Sequence, residues 1–120
     1  MKNKPFHQRL GFAIAGILHT LRSENSFRFH VLAAFAVLAA LLLLQPPPRW
    51  WAIIALTVML VLAAELINTA LEHLVDHLHP EQHPRIKIVK DCAAGAVLVI
   101  SIGAVCVAAA FVWEFFIQAG

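Results

Sequence analysis

From Phe29 to Pro48 the chain carries no Asp, Glu, Lys or Arg, and from Cys92 to Trp113 it again carries none. Between these stretches an apolar run from Trp50 to Ala64 ends abruptly at Glu65. A helix needs about 20 such residues to cross the hydrocarbon core of a bilayer. A backbone inside that core must satisfy its own hydrogen bonds, which a helix does and a single strand does not. Composition agrees: 61% of the 120 residues are hydrophobic and 13% are charged, whereas a soluble domain is about a quarter charged. The expectation is an all-α integral membrane protein, one domain over 1–120. It has three transmembrane helices at about 29–45, 50–78 and 88–117, preceded by an N-terminal amphipathic surface helix at about 6–27.

Local signals supply the boundaries. Pro46, Pro47 and Pro48 end the first span, and Pro80 stops the second, because proline offers no N–H to a helix interior. The stretch His79–Ile88 reads as a polar loop. Phe6, Leu10, Ala13, Ile14, Ile17, Leu18 and Leu21 recur at helical spacing, the pattern of a helix lying in the membrane interface. Arg22, Ser23 and Glu24 follow that stretch where a signal peptide would have a small-residue cleavage site. Gly95, Gly103 and many alanines in the third span permit close helix contact. Cys92 and Cys106 lie within the same apolar run and read as small hydrophobes.

Charge gives the orientation. Lys2, Lys4, Arg9, Arg22 and Arg28 precede the first span, and Arg85, Lys87 and Lys90 precede the third, against Arg49 alone in the first loop. The positive-inside rule places the N-terminus and the second loop in the cytoplasm. Trp50, Trp51 and Trp113 then fall at the outer interface. The net charge of +2 comes from scattered residues, which gives no basic stripe for a nucleic acid.

The chemistry concentrates where the second span meets the cytoplasm. Glu65 and Glu72 are seven residues apart, and Asp76 is eleven from Glu65. At 3.6 residues per turn all three fall within about 20° of one helix face, with Asn68 and Thr69 beside them. Carboxylates in a span are costly and mark functional sites by default. Stacked on one face they repel one another, and a hard divalent cation relieves that repulsion, commonly with substrate phosphates completing its shell. Lys90 and Asp91 open the third span at the same level, and Glu24 and Arg28 close the surface helix there. His73 and His77 share a face at i, i+4, but the order of residues is not the H-E-x-x-H of a zinc site. No G-x-x-x-x-G-K-[ST] or G-x-S-x-G pattern occurs. A small cation transporter would use the same carboxylates and histidines, yet it needs polar groups through the depth of the membrane. A purely structural membrane subunit would have no use for the intact acidic and lysine set.

Three segments together resemble a known family. Glu65-Leu-Ile-Asn-Thr-Ala-Leu-Glu72-His-Leu-Val-Asp76, Lys90-Asp91-Cys-Ala-Ala-Gly-Ala-Val-Leu and Glu24-Asn-Ser-Phe-Arg28-Phe-His30 are similar to the conserved blocks of the prokaryotic diacylglycerol kinase and undecaprenol kinase family. The order of the blocks, the three-span layout and the length agree as well. The resemblance implies a homotrimeric lipid kinase of the bacterial cytoplasmic (inner) membrane. Its composite active sites would lie on the cytoplasmic side and move the γ-phosphoryl of MgATP to a lipid hydroxyl. It implies Glu65 as general base, Glu24 and Glu72 as ligands of Mg²⁺, and Asn68, Asp76, His83, Lys90 and Asp91 as ATP- or phosphate-binding residues. Arg9 joins them with a weaker match. Ser26 and Gln82 depart from residues common in relatives. The Glu24–His30 and Asp91–Leu98 forms look more like the undecaprenol kinase branch, so undecaprenol is favoured over diacylglycerol as acceptor.

Overall fold

The computed structural model describes residues 2–118; positions 1, 119 and 120 of the expected single domain lie outside the described residues. Four helices follow in order: α1 (Phe6–Ser23), α2 (Asn25–Leu44), α3 (Pro48–Leu78) and α4 (Pro84–Val112). α4 runs on into a π-helical extension, Trp113–Gln118. α2, α3 and α4 with its extension are each long and apolar enough to cross a membrane. α1 is the amphipathic helix that precedes them. Its apolar residues Phe6, Leu10, Ile14, Ile17 and Leu18 stay exposed on the chain, which leaves that face for an interface rather than for the bundle.

The helix boundaries have local causes, and several differ from those expected. The first helix does not continue to about 27. The chain breaks at Glu24, whose backbone is extended at φ −114°, ψ 114°, and residues 25–28 already belong to α2. Arg28 seals the break. Its guanidinium donates to the carbonyls of Leu21 at 2.9 Å and Arg22 at 2.7 Å, and to the side chain of Asn25. Those carbonyls belong to the last turn of α1, where no intrahelical donor is left. α2 ends through Gln45, the only non-glycine residue with positive φ among those described, at 50°. α3 starts at Pro48, two residues earlier than expected, and α4 starts at Pro84, four residues earlier. In both cases proline occupies the first turn, where its missing N–H costs nothing. His83 caps α4 by accepting from the Arg85 N–H at 3.1 Å.

α3 and α4 make the most extensive pairing; α2 packs on another side of α3, and α1 touches α2 and α3. Two polar ties close one end of the bundle. Arg49 donates to Glu114 Oε2 at 2.9 Å and Trp50 Nε1 donates to the same oxygen, while Trp50 stands edge-on to Phe111. The opposite end holds the α1–α2 break and the α3–α4 loop. The buried hydrophobic set is small, comprising Phe27, Leu41, Trp50, Val61, Val75 and Phe111. The close approach that Gly95 and Gly103 permit is not used within the chain, since a Cβ at either would meet nothing within 4 Å. Cys92 and Cys106 are free and exposed.

Candidate active site

At 1.5 Å per residue the 31 residues of α3 extend about 46 Å, well beyond a hydrocarbon core of about 30 Å. The helix is therefore longer than the apolar layer is thick, and Glu65, Glu72 and Asp76 all lie in its second half. Glu65 is buried at 5% exposure, Glu72 is half-buried and Asp76 is exposed. The gradient follows from what packs on α3. α2 reaches Glu65 through Ser26 and His30, α1 meets α3 around Thr69 and His73, and Asp76 meets Lys90 of α4 at the rim of an open cavity. Thr20 and Thr69 are both buried where α1 meets α3, and the rings of His19 and His73 meet there at 5.3 Å.

Glu65 is held from α2. Ser26 Oγ donates to its Oε1 at 2.7 Å, and His30 Nδ1 lies 2.8 Å from the same oxygen. The other oxygen, Oε2, is buried without a hydrogen-bond partner, and so is Oδ1 of Asn68, one turn further along α3. Buried polar atoms are normally paired. Two acceptors left open on one helix face therefore mark a place for a donor or a cation. Sequence reasoning named Ser26 as a departure and His30 as a branch feature, and missed both as partners of Glu65. The available signal was their i, i+4 spacing, which puts the two polar residues on one face at the head of an otherwise apolar helix.

A second cluster lies about 16 Å further along α3, eleven residues on at 1.5 Å each. Lys90 Nζ donates to Asp76 Oδ1 at 2.5 Å, and Lys87 donates to Asp91 at 2.7 Å one turn apart on α4. Asp76, His79, His83, Lys87, Lys90 and Asp91 line an open cavity of about 620 Å³. The rings of His79 and His83 meet edge-on at 5.7 Å. Four of the sequence-derived residues, Asp76, His83, Lys90 and Asp91, thus share one cavity. Glu65 and Asn68 form the other centre.

Glu24 sits at the α1–α2 break between Thr20 and Ser26, which places it beside the Glu65–His73 stretch of α3. Among the described residues neither its side chain nor that of Glu72 makes a hydrogen bond or ion pair. Arg9 is exposed on α1, three turns from the Thr20 contact, and the structure does not bring it to either centre. Among the described residues no three His, Cys, Asp or Glu side chains converge to hold a metal. Mg²⁺ does not require such a cage, because it keeps several waters and takes one or two carboxylates plus phosphates. Glu24 and Glu72, both half-buried carboxylates, fit that mode.

Three helices long and apolar enough to cross a membrane, with a buried carboxylate and a basic–acidic cavity gathered toward one end, define a small polytopic membrane protein. The profile of prokaryotic diacylglycerol kinase matches residues 11–112. The chain belongs to the prokaryotic diacylglycerol kinase family. It is 41% identical over 97 residues to a diacylglycerol kinase of Synechocystis sp., covering 80% of this chain and 55% of the relative. It therefore spans little more than half of that relative's length. It is 44% identical over 87 residues to an undecaprenol kinase of Bacillus subtilis, covering 72% of this chain and 71% of the relative. A diacylglycerol kinase of Pseudomonas aeruginosa is 34% identical over 86 residues, 72% of this chain and 70% of the relative.

Proposed function

We propose that the protein is a lipid kinase that transfers the γ-phosphoryl of ATP to the primary hydroxyl of a membrane lipid. The observation that carries this is the state of Glu65. It is 5% exposed, held by two contacts on Oε1, and open at Oε2. A lipid hydroxyl supplies the missing donor. Its proton passes to Oε2 as its oxygen bonds to the γ-phosphorus, the bond from that phosphorus to the ADP oxygen breaks, and Glu65 then returns the proton to water. Asn68 Oδ1, also open, offers a second acceptor for orienting that hydroxyl.

Phosphoryl transfer is mainly a matter of positioning and charge neutralisation. Lys90 lines the 620 Å³ cavity with Asp76, Asp91 and His83, a set suited to phosphates and to the polar parts of a nucleotide. Glu24 and Glu72 would hold a divalent cation, Mg²⁺ in this reading. When bound, that cation neutralises charge on the phosphates. Arg9 would have to reach phosphates from a neighbouring copy, since α1 carries it away from both centres of its own chain. A homotrimer with composite sites rests on the family resemblance, and the apolar span surfaces left exposed on the single chain are compatible with it. The charge distribution of the loops supports a cytoplasmic site and N-terminus in the bacterial inner membrane.

Undecaprenol is the favoured acceptor, on the Glu24–His30 form and the 44% identity to a relative named undecaprenol kinase. Diacylglycerol is the second reading, supported by the relatives named diacylglycerol kinase at 41% and 34%. The test is transfer from labelled ATP to each lipid, offered separately in mixed micelles, by the wild type and by Glu65→Gln. Removing a general base costs roughly 10²- to 10⁴-fold in rate. The expected result is phosphorylated undecaprenol from the wild type and a loss of that size in the folded variant. Phosphatidic acid alone would move the acceptor to diacylglycerol. No lipid product from either would overturn the kinase reading.

A further inference from the structure

Ser26 and His30 stand one turn apart at the head of α2 and converge on a single oxygen of Glu65, at 2.7 and 2.8 Å. His30 Nδ1 also lies 3.1 Å from the backbone carbonyl of Ser26. The carbonyl has no proton to give, so Nδ1 carries the hydrogen and directs it to the Ser26 carbonyl, with the Glu65 oxygen at ion-pair distance from the same nitrogen. This fixes the tautomer and leaves Nε2 as the other nitrogen of a ring whose side chain is 27% exposed.

The consequence falls on Glu65. A carboxylate offers two equivalent oxygens, and a base that can present either in several orientations is poorly placed for any one proton. Here the Ser26 hydroxyl donates to Oε1 and the His30 ring stands against the same oxygen, while Oε2 is left buried and open. We propose that His30, with Ser26, is a positioning residue: it pins Glu65 by Oε1 and reserves Oε2 for the proton of the lipid hydroxyl. This rests on the phosphoryl-transfer reading above. The proton moves from the hydroxyl to Oε2 and no proton moves through His30, whose Nδ1 is already occupied. The ring acts by direction alone. Arg28, the nearest cation on the same helix, is turned away to the carbonyls of α1. Lys90 is engaged with Asp76 at the far cluster. His30 is thus the basic group that faces Glu65.

The test uses the full-length protein in mixed micelles, with folding monitored by circular dichroism. Misplacing a reacting group by about 1 Å costs up to about 100-fold, and losing an outer partner of a site residue costs roughly 10- to 100-fold. His30→Ala is expected to lower kcat by about 10- to 100-fold on that basis, with KM for ATP and for lipid unchanged. His30→Asn keeps a short side chain with an N–H near the Nδ1 position and is expected to recover most of the loss. Ser26→Ala is expected to show a smaller fall in kcat of the same kind. Independently of activity, the ¹⁵N spectrum of the wild-type ring is expected to show a protonated Nδ1. Unchanged kcat in His30→Ala, equal defects in the Asn and Ala variants, or an Nδ1 without its proton would each overturn the proposal. If His30→Ala does not fold, His30→Asn and Ser26→Ala still decide it. A wild type that transfers no phosphate would overturn the kinase reading itself, while the ¹⁵N spectrum would still report on the His30 geometry.

Discussion

Three carboxylates share one face of α3 but differ in environment. Glu65 is buried against α2, Glu72 is half-buried, and Asp76 lines the open cavity. Asn68 shows what such a site costs. Its Oδ1 is buried without a partner, and an unmade hydrogen bond of this kind costs about 1–3 kcal/mol. Asn68→Leu is therefore expected to raise thermal stability by up to about 1 kcal/mol while lowering kcat, measured as opposite shifts in unfolding midpoint and turnover. A loss of stability with full activity would make Asn68 structural. Lys90 belongs to the other centre. A hydrogen bond to a charged group contributes about 1.5–3 kcal/mol, so Lys90→Met is expected to weaken ATP binding by about 10- to 100-fold. The change would be read as KM for ATP, with lipid KM unchanged. The face itself was legible from the spacing of Glu65, Glu72 and Asp76. The partners of Glu65 were not, because Ser26 and His30 lie 39 and 35 residues away in sequence, and no local rule pairs them.

At the scale of elements, the break at Glu24 decides how the Glu65 centre is assembled. It turns the chain so that His19 and Thr20 meet α3 from one helix while Ser26 and His30 meet it from the next. Arg28 holds this corner through the last carbonyls of α1. Arg28→Ala leaves those carbonyls to water and removes hydrogen bonds from a charged donor. It is expected to cost about 1–3 kcal/mol, with faster proteolytic cleavage near residues 22–26 as the local readout. Protection equal to wild type would show the corner to be held otherwise. The apolar repeat of α1 ends at Leu21, and the polar run Arg22–Ser26 that follows is as compatible with a solvated helix end as with a break. Similarly, Pro84 looked like part of a loop until His83 and the proline were seen together as cap and first turn.

At the scale of the whole molecule, the chain is an elongated bundle of 56 × 39 × 23 Å with a small buried core and long apolar flanks. Helices in a membrane associate through packing and small residues rather than through a hydrophobic drive. Gly95 and Gly103 are open to approach, since a Cβ at either would meet nothing within 4 Å. The proposed trimer predicts a native mass of three 13.2 kDa chains in mild detergent. It also predicts disulfide or crosslinker capture between cysteines introduced on neighbouring α4 surfaces. A monomer with full activity would remove the need for composite sites.

The sequence by itself determined the membrane class, the number of spans and the acidic face of α3. Each of these depends on local composition and on the fixed geometry of a helix: the transfer cost of charge sets the spans, and 3.6 residues per turn sets the face. Only the tertiary structure decided which carboxylate is buried and which of its oxygens is held. It also decided that Asp76, His83, Lys90 and Asp91 share a cavity that Glu65 does not reach. Burial and pairing depend on where α1 and α2 come to rest against α3. That placement follows from the extended backbone at Glu24 and the Arg28 contacts, which helical periodicity does not encode.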